Sequence, residues 1–267
     1  MTDDDAQLSM QIAQAAGRLL LDLRAQFASQ DLHDPVVLTQ LRSRGDREAN
    51  TCILDLLARE RPGDAVLSEE AVDNLTRLQA ERVWIVDPLD GTWEYGQGLP
   101  EFAVHVGLWD ATRGVLTAAT VDLPAQGVTR STALPPGKPA ALPTNRPIRI
   151  AVSRSRAPKN LDAVLAQLAA SLDHPWGVEA YPVGSVGAKV EEVLSGRAEG
   201  YVHDTGFHEW DVAAPYAVAQ HNGLIAEHLD GTAVTFNLEV PFVSNLLVCH
   251  PALHAPLRAA LQAVRPF

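Results

Sequence analysis

The sequence contains very little cysteine: Cys52 and Cys249 are the two cysteines among 267 residues. Two thiols cannot form the disulfide framework on which small secreted folds depend, and they lack the spacing of zinc ligands. We interpret both as buried structural thiols. A hydrophobic core must therefore stabilise the chain, and 46% hydrophobic residues are enough for one large or two modest domains.

Basic residues are also scarce. Lys and Arg number 21 against 33 Asp and Glu, which gives a formal net charge of −12. Proteins that bind nucleic acid or anionic membranes non-specifically need basic surfaces, so we expect neither partner here. A small phosphorylated substrate stays compatible with this charge if the binding site supplies its own cations.

No apolar run approaches the roughly 20 residues of a membrane-spanning helix. The first residues, MTDDDAQ, are acidic, whereas a secretory signal begins with basic residues. We therefore expect a cytoplasmic protein. The sequence shows no internal repeat or low-complexity segment, and it leaves the oligomeric state open, with a homodimer as one possibility.

Apolar periodicity predicts an α/β protein in two parts. Residues 1–145 are predicted to form an α+β part, and in 146–267 strands and helices alternate. The division falls in 124–147 because this stretch has six prolines and little periodicity, although a hairpin is predicted around 127–132. The predicted helices cover 6–27, 46–60, 158–172, 185–195, 211–221 and 252–264. The predicted strands cover 65–67, 83–86, 102–108, 114–121, 148–152, 178–182, 198–203, 224–236 and 243–249.

Acidic residues stand at the ends of several predicted elements, where functional side chains are usually found. Glu69 and Glu70 follow one strand, Asp87 and Asp90 follow another, and Asp211 opens a helix. In the sequence Asp-Pro-Leu-Asp-Gly-Thr, a tight turn would direct both aspartates and the Leu89 carbonyl at one position. Oxygen ligands of this kind suit hard cations, so the pattern predicts a Mg²⁺ site.

Gly91 and Thr92 add backbone N–H groups and a hydroxyl beside the predicted metal site, and such groups bind phosphate. Metal ions, an activatable water and a phosphate-binding turn together indicate metal-assisted hydrolysis of a phosphate ester. Taken singly, each feature has an ordinary explanation. The turn composition is common at surfaces, and Asp46 and Asp211 would each serve as helix caps.

Three motifs in this order resemble the inositol monophosphatase superfamily, a group of lithium-sensitive, Mg²⁺-dependent phosphatases. They are Ser-Glu-Glu at 68–70, Asp-Pro-Leu-Asp-Gly-Thr at 87–92 and Trp-Asp-Val-Ala-Ala at 210–214. The resemblance implies the layered αβαβα sandwich of the inositol monophosphatase and fructose-1,6-bisphosphatase type. Pro215 departs from the usual glycine after the third motif, and we expect the first turn of a helix to tolerate it.

The resemblance also implies a role for each residue of these motifs. Asp46 and Thr92 would form a catalytic pair that orients and deprotonates the attacking water. Two to three Mg²⁺ ions would be bound, the first by Glu69, Asp87 and the Leu89 carbonyl, a second by Asp87, Asp90 and Asp211, and a weaker third near Glu69 or Glu70.

Within the superfamily the sequence is most similar to the CysQ branch, which hydrolyses 3′-phosphoadenosine 5′-phosphate (PAP). The similarity lies in Asp-Gly-Thr-Trp-Glu-Tyr at 90–95, followed by Glu101 and Phe102. It implies removal of the 3′-phosphate to give AMP, as part of sulfur assimilation and PAP recycling. The residues implied in substrate binding are Gly91, Thr92, Ser185, Lys189 and Arg154, the last two in loops that bind the second phosphate.

Several alternatives stay open. Inositol-1-monophosphatase or fructose-1,6-bisphosphatase activity, main or secondary, would use the same metal site. An aspartyl-phosphate phosphatase is disfavoured because its Asp-x-Asp spacing differs from the i, i+3 spacing here. A non-catalytic divalent-cation-binding protein is a remote alternative, and the alternating acidic loop of EF-hands is absent. The sequence does not decide whether Trp93, Tyr95, His203, His208 and Glu209 line the pocket or pack.

Overall fold

The computed structural model describes residues 2–32, 34–172 and 174–264. Over these residues the chain forms seven α-helices and two five-stranded sheets. Helices and sheets alternate in layers, so the predicted layered α/β architecture is confirmed.

The first sheet contains β1 (Ala65–Ser68), β2 (Arg82–Asp90), β3 (Ala103–Asp110), β4 (Val115–Leu123) and β5 (Val128–Ser131). These strands lie in sequence order, with β1 parallel to β2 and all other neighbours antiparallel. Both faces of β2 are covered, because Val83 and Ile85 pack on one side and Trp84 and Val86 on the other. This explains its continuous apolar run.

The second sheet and a small ladder contain β6 (Ile148–Ser153), β7 (Val178–Val183), β8 (Gly200–His203), β9 (Phe207–His208), β10 (Ile225–Glu227), β11 (Phe242–Val243) and β12 (Leu246–Cys249). The strand order in the second sheet is β10-β12-β8-β6-β7. Strand β6 is parallel to β7 and β8, whereas β12 is antiparallel to both of its neighbours. Strands β9 and β11 form a separate antiparallel pair.

The helices are α1 (Thr2–Gln26), α2 (Pro35–Glu60), α3 (Thr92–Gly96), α4 (Leu161–Leu172), α5 (Val186–Leu194), α6 (Glu209–His221) and α7 (Pro251–Ala263). Three apolar clusters separate the layers. Trp84 lies in the outer cluster between the first sheet and α1 and α2. Ile85, Val218 and Tyr201 lie in the middle cluster, where α5 and α6 pack between the sheets. Ile150 lies in the third, against α4 and α7.

The strands of the two sheets separate at the proline-rich stretch, since β5 ends at Ser131 and β6 begins at Ile148. Strand β5 pairs with β4, in agreement with the hairpin predicted around 127–132. The middle cluster nevertheless contains residues of both sheets. The division into 1–145 and 146–267 stays a prediction.

The helices that contain Asp46 and Asp211 begin earlier than predicted. Helix α2 starts at Pro35, and Asp34 caps it by accepting a hydrogen bond from Val36 N (2.8 Å). Asp46 therefore lies within a helix and caps none. Helix α6 starts at Glu209, so Pro215 lies in its interior and not in the first turn. Lacking an N–H, this proline cannot bond the carbonyl four residues earlier.

Two smaller features differ in part from the predictions. The strand predicted over 224–236 is limited to β10, and 228–241 form a loop. Both cysteines are free thiols; Cys249 is buried as predicted, whereas Cys52 is only partly buried. Within the described ranges, none of the helices combines the length and apolarity needed to cross a membrane.

Candidate active site

Parallel pairing brings the first acidic positions to one edge of the first sheet. Ser68 of β1 lies beside Val86 of β2, so Glu69 and Asp87 follow at neighbouring strand ends. The carboxyl groups of Glu69 and Asp87 interact electrostatically, and each acts on the pKa of the other. The buried Ser68 hydroxyl donates to Asn50 Oδ1 in α2 (2.7 Å), which fixes this strand end to the helix.

A β-bulge, and not the predicted tight turn, positions Asp87 and Asp90. Strand β2 continues to Asp90, but Asp87 pairs with His105 while Asp90 pairs with Ala103. One extra residue therefore lies on β2 between these pairs. Because of it, Leu89 faces the outer cluster with α1 and α2. Asp90 faces the middle layer, on the same side as Asp87.

Helix α6 brings a third aspartate to this edge. Asp211 is the third residue of the helix, not its first as predicted, and its Oδ2 accepts from His208 N (2.7 Å). Carboxylate oxygens of Asp87, Asp90 and Asp211 lie within 4.8 Å of one another. Asp87 and Asp90 are 1% and 7% exposed. The three predicted aspartates thus meet, and we call them with Glu69 the acidic cluster.

Burial and mutual repulsion displace the pKa values of this cluster. Burial, reinforced by Glu69 and the other aspartates, raises the pKa of Asp87 well above its usual range. Burial and the charge of Asp90 raise the pKa of Asp211 to about 7. Glu69 is exposed as a whole residue, but desolvation of its carboxyl group and the charge of Asp211 raise its pKa to about 7. Among the residues that the structure describes, no lysine or arginine forms an ion pair with these four acids.

The donor set fits a divalent cation. Every candidate ligand is an oxygen, as Mg²⁺, Mn²⁺ and Ca²⁺ prefer. Buried carboxylates without a cationic partner are costly, and a bound ion would relieve that repulsion. Glu69, Asp87, Asp90 and Asp211 are thus able to bind a divalent metal.

The predicted pair of Asp46 and Thr92 meets at the edge of the acidic cluster. Thr92 opens α3, and its hydroxyl lies 3.3 Å from Asp46 Oδ1 and 3.0 Å from the Leu89 carbonyl. The single hydroxyl proton can be donated to either oxygen. Burial and the charge of Glu70 raise the pKa of Asp46 to about 6. Asp46 is therefore an available proton acceptor in neutral solution.

Two further predicted residues flank this pair. Glu70, like Glu69, is exposed and lies outside the group of three aspartates, although its charge acts on Asp46 and Glu69. Gly91 has φ +88°, and a Cβ there would lie 2.8 Å from the Glu101 carbonyl oxygen. Glycine is therefore required where the backbone leaves β2 and enters α3.

Ser185 caps the start of α5 and Lys189 lies within this helix. Lys189 is therefore not part of the open substrate loop in which it was predicted. The Ser185 hydroxyl donates to Asp90 Oδ2 and accepts from Ala188 N (3.1 Å), so it caps the helix. Lys189 is 4% exposed and donates from Nζ to the Ser185 carbonyl (2.6 Å). Burial lowers the pKa of Lys189 to about 8, against the opposing charges of Asp90 and Glu94.

The two arginines that follow β6 differ in their partners. Arg154, the predicted substrate residue, forms ion pairs with Glu94 (3.2 Å) and Glu101 (2.6 Å). The exposed Arg156 side chain forms no ion pair or hydrogen bond with the described part of the chain, and its charge opposes the rise in the pKa of Asp211. Sequence reasoning missed Arg156, although the alternation Ser-Arg-Ser-Arg offered both arginines.

The two aromatic residues after Thr92 differ in their exposure to solvent. Tyr95 is fully buried, and its hydroxyl donates to the Leu20 carbonyl (2.9 Å), so it is a packing residue. Trp93 is 52% exposed. Of the two, Trp93 alone is accessible to a ligand.

Glu209 and His208, at the start of α6, also have different environments. Glu209 is fully buried and accepts from the backbone N–H groups of Asn237 and Leu238, so it anchors a loop. His208 is exposed, and its ring stacks on that of Trp210 with centroids 4.5 Å apart.

The end of β8 adds polar groups that sequence reasoning left unassigned. Tyr201 Oη and His203 Nδ1 are buried, and neither has a hydrogen-bond partner among the described residues. The Lys189 ammonium lies 5.3 Å from the centre of the Tyr201 ring. Buried polar groups without partners are rare in native folds and mark places where a ligand or water can bind.

The similarity of this chain to known proteins extends over almost its whole length. The inositol monophosphatase family model matches residues 2–265. A 3′-phosphoadenosine 5′-phosphate phosphatase of Mycobacterium leprae is 39% identical over 270 residues, which cover 97% of this chain and 94% of that protein. The 3′(2′),5′-bisphosphate nucleotidase CysQ of Escherichia coli is 29% identical, over 74% of this chain and 80% of that protein.

A solved structure of a CysQ protein is also similar to this chain. CysQ from Bacteroides thetaiotaomicron, described as a bacterial member of the inositol monophosphatase family, superposes with a TM-score of 0.73 at 25% identity. The superposition covers 92% of this chain and 97% of that one. The match of the family model to almost every residue, and the mycobacterial relative, agree with the motifs that form the acidic cluster. The chain belongs to the inositol monophosphatase family.

Proposed function

We propose that this chain is a Mg²⁺-dependent phosphomonoesterase that removes the 3′-phosphate of PAP and releases AMP. The observation that supports hydrolysis most directly is the acidic cluster, with the Asp46–Thr92 pair at its edge. The relatives named as PAP phosphatases support the choice of substrate.

The acidic cluster would bind the ions. Glu69, Asp87 and the Leu89 carbonyl would hold one Mg²⁺, and Asp87 would share a second with Asp90 and Asp211. A third ion, near Glu70, would be held more weakly. When bound, such ions supply positive charge to phosphoryl oxygens and make a nearby water more acidic.

The Asp46–Thr92 pair would move the proton. The Thr92 hydroxyl accepts a proton from the attacking water while it donates its own to Asp46, 3.3 Å away. The water oxygen forms a bond to phosphorus as the bond between phosphorus and the 3′ oxygen breaks. The 3′ oxygen leaves as the hydroxyl of AMP after it gains a proton, so one water is consumed for each phosphate released.

The second phosphate of the nucleotide needs cations of its own, since the acidic cluster binds the phosphate that is cleaved. Lys189 and Arg156 are the candidates, because the charges of both oppose the rise in the pKa of Asp211. Arg154 remains a candidate only if the substrate displaces Glu94 or Glu101 from its guanidinium. Gly91 and Thr92 would contact the cleaved phosphate through backbone N–H groups.

The test is a substrate panel of PAP, inositol 1-phosphate and fructose 1,6-bisphosphate with Mg²⁺, comparing kcat/KM. We expect PAP to exceed the others by about tenfold or more, which corresponds to about 1.4 kcal/mol of transition-state stabilisation. Chromatography should identify the nucleotide product as AMP and not adenosine 3′-phosphate.

Other results of the substrate panel would indicate a different function. One relative at 29% identity, from Mesorhizobium japonicum, is named inositol-1-monophosphatase. A preference for inositol 1-phosphate or fructose 1,6-bisphosphate would overturn the PAP assignment and leave the phosphatase. Absence of turnover with every phosphate ester would favour the non-catalytic cation-binding alternative.

A further inference from the structure

His105 is a buried histidine of β3 that contacts two of the elements forming the acidic cluster. It is fully buried, and its ring lies between Asp90 and the first turn of α6. Its Nε2 is 3.3 Å from Asp90 Oδ2, and its Nδ1 is 3.3 Å from the carbonyl oxygen of Trp210. Trp210 immediately precedes Asp211. One imidazole thus touches both the bulge that presents Asp90 and the turn that presents Asp211.

The contacts at the two ends of the ring differ. The contact with the Trp210 carbonyl has hydrogen-bond geometry. Nε2 has ion-pair distance to Asp90, but it has no hydrogen-bond partner among the described residues. Asp90 Oδ2 already accepts from the Ser185 hydroxyl and from Gly187 N (2.8 Å). His105 therefore restrains Asp90 by packing and restrains α6 by a hydrogen bond.

Helix α5 encloses the ring from the other side. A Cβ at Gly187 would lie 2.5 Å from His105 Nε2 and 2.9 Å from side-chain atoms of Ala103 and Val121. The helix can approach this closely because residue 187 has no side chain. The imidazole consequently has no free space in which to shift, and its position is set by β3, α5 and α6 together.

We propose that His105 is a positioning residue that sets the separation of Asp90 and Asp211, and with it the affinity for the divalent cation that these carboxylates share. A shorter side chain would free space beside Asp90 and release the first turn of α6. Metal ligands depend on such supporting contacts for their orientation. This inference rests on the proposed function only in requiring a cation at the acidic cluster.

The experiment measures Mn²⁺ binding directly, by the electron paramagnetic resonance signal of free Mn²⁺, with no substrate present. The variants are His105→Ala and His105→Asn. The asparagine amide can still donate to the Trp210 carbonyl, but it lacks the ring atoms that contact Asp90. We expect Mn²⁺ affinity to fall by about 10–100-fold in His105→Ala, the range for lost supporting contacts, and to fall less in His105→Asn.

Thr120→Val provides a matched control. Thr120 is also fully buried and polar, on the neighbouring strand β4, and it bonds the hydroxyls of Ser9 and Ser131. It faces α1, away from the acidic cluster. This variant should lower the melting temperature while Mn²⁺ affinity stays unchanged.

The outcomes separate this inference from the proposed function. If the unmodified protein binds Mn²⁺ and His105→Ala binds it equally well, His105 is an ordinary core residue and the proposed function stands. If the unmodified protein binds no Mn²⁺, both proposals fall. Should His105→Ala not fold, the affinity of His105→Asn decides: an unchanged value overturns the inference, and a reduced value supports it.

Discussion

At the scale of single residues, Asp46 and Thr92 divide one task between a carboxylate and a hydroxyl. A threonine hydroxyl is a poor base by itself. It can nevertheless accept a proton from water if it donates its own proton to a neighbouring base at the same time. Asp46 is the neighbour, and burial raises its pKa to about 6. A base with a pKa near the working pH combines availability with proton affinity.

We expect Asp46→Asn to lower kcat by about 10²–10⁴-fold, the usual contribution of a general base. In the unmodified enzyme, kcat/KM should fall as the pH drops below about 6, because protonated Asp46 cannot accept a proton and bound Mg²⁺ lowers the pKa of Asp46 below its metal-free value of about 6. This acidic limb should be lost in Asp46→Asn. The measurement is a pH–rate profile at saturating Mg²⁺.

The role of the Thr92 hydroxyl in proton transfer is tested by a matched pair of variants. Thr92→Ser keeps the hydroxyl and should retain most of the activity, whereas Thr92→Val should lose as much as Asp46→Asn. Equal activity in the serine and valine variants would contradict the proton relay.

At the scale of elements, the segment after β6 and helix α5 provide Arg156 and Lys189, two cations whose charges act on Asp211 of the acidic cluster. We expect Arg156→Ala and Lys189→Met each to raise the KM for PAP by about tenfold or more, because charge-assisted bonds to phosphate are among the strong ones. The KM for inositol 1-phosphate should change little, since its one phosphate binds at the metals.

Arg154→Ala is the comparison for Arg156→Ala. Arg154 lies two residues away, and two glutamates already pair with its guanidinium. We therefore expect a smaller rise in KM. A larger rise in KM for Arg154→Ala than for Arg156→Ala would mean that PAP displaces Glu94 or Glu101. If the three variants changed the KM for PAP and for inositol 1-phosphate equally, a second-phosphate site would be contradicted.

The elements also show which parts of the site could be predicted from sequence. The acidic ligands lie in short contiguous motifs at strand and helix ends, so local sequence indicates them. The early start of α2 was missed because residues 35–40 are mostly exposed and show little apolar periodicity, although Asp34-Pro35 is a typical helix start. The distinction between Arg154 and Arg156 depends on glutamates from a distant segment, which no local pattern reports.

At the scale of the molecule, the acidic cluster joins both halves of the chain, because Asp87 comes from the first sheet and Asp211 from α6. Without metal this junction is repulsive. The raised pKa values of Glu69, Asp87 and Asp211 mean that the folded protein binds more protons than the unfolded chain between about pH 4 and 7. These groups therefore lower the free energy of unfolding as the pH rises through that window.

We expect Asp211→Asn to raise the melting temperature in EDTA at pH 7.5, and to raise it less at pH 5. The expected rise is several degrees, at about 2–4 °C for each kcal/mol in a protein of this size. Burial lowers the pKa of His203 to about 4, so this histidine makes the free energy of unfolding rise with pH, opposite to the acidic cluster. The variant is therefore compared with the unmodified protein at each pH. Thermal unfolding of the two proteins is measured by circular dichroism.

Two controls complete this experiment. Glu179→Gln removes an exposed carboxylate that pairs with Arg149, so it should not reproduce the effect. Mg²⁺ should raise the melting temperature of the unmodified protein and raise that of Asp211→Asn less, because the variant loses one ligand of the second ion. A destabilised Asp211→Asn variant at pH 7.5 in EDTA would show that repulsion does not dominate the cluster.

The bulge in β2 allows two carboxylates an odd number of residues apart to face the same layer. In a regular strand, the three-residue spacing would turn Asp90 into the apolar layer that Leu89 now fills. Deletion of Pro88 would restore regular alternation and place the two aspartates two residues apart, so both would still face one side. The length of the motif and the bulge thus depend on each other: straightening the strand at full length would separate the carboxylates, whereas shortening it by one residue would not. A combined deletion and substitution scan would reveal this difference.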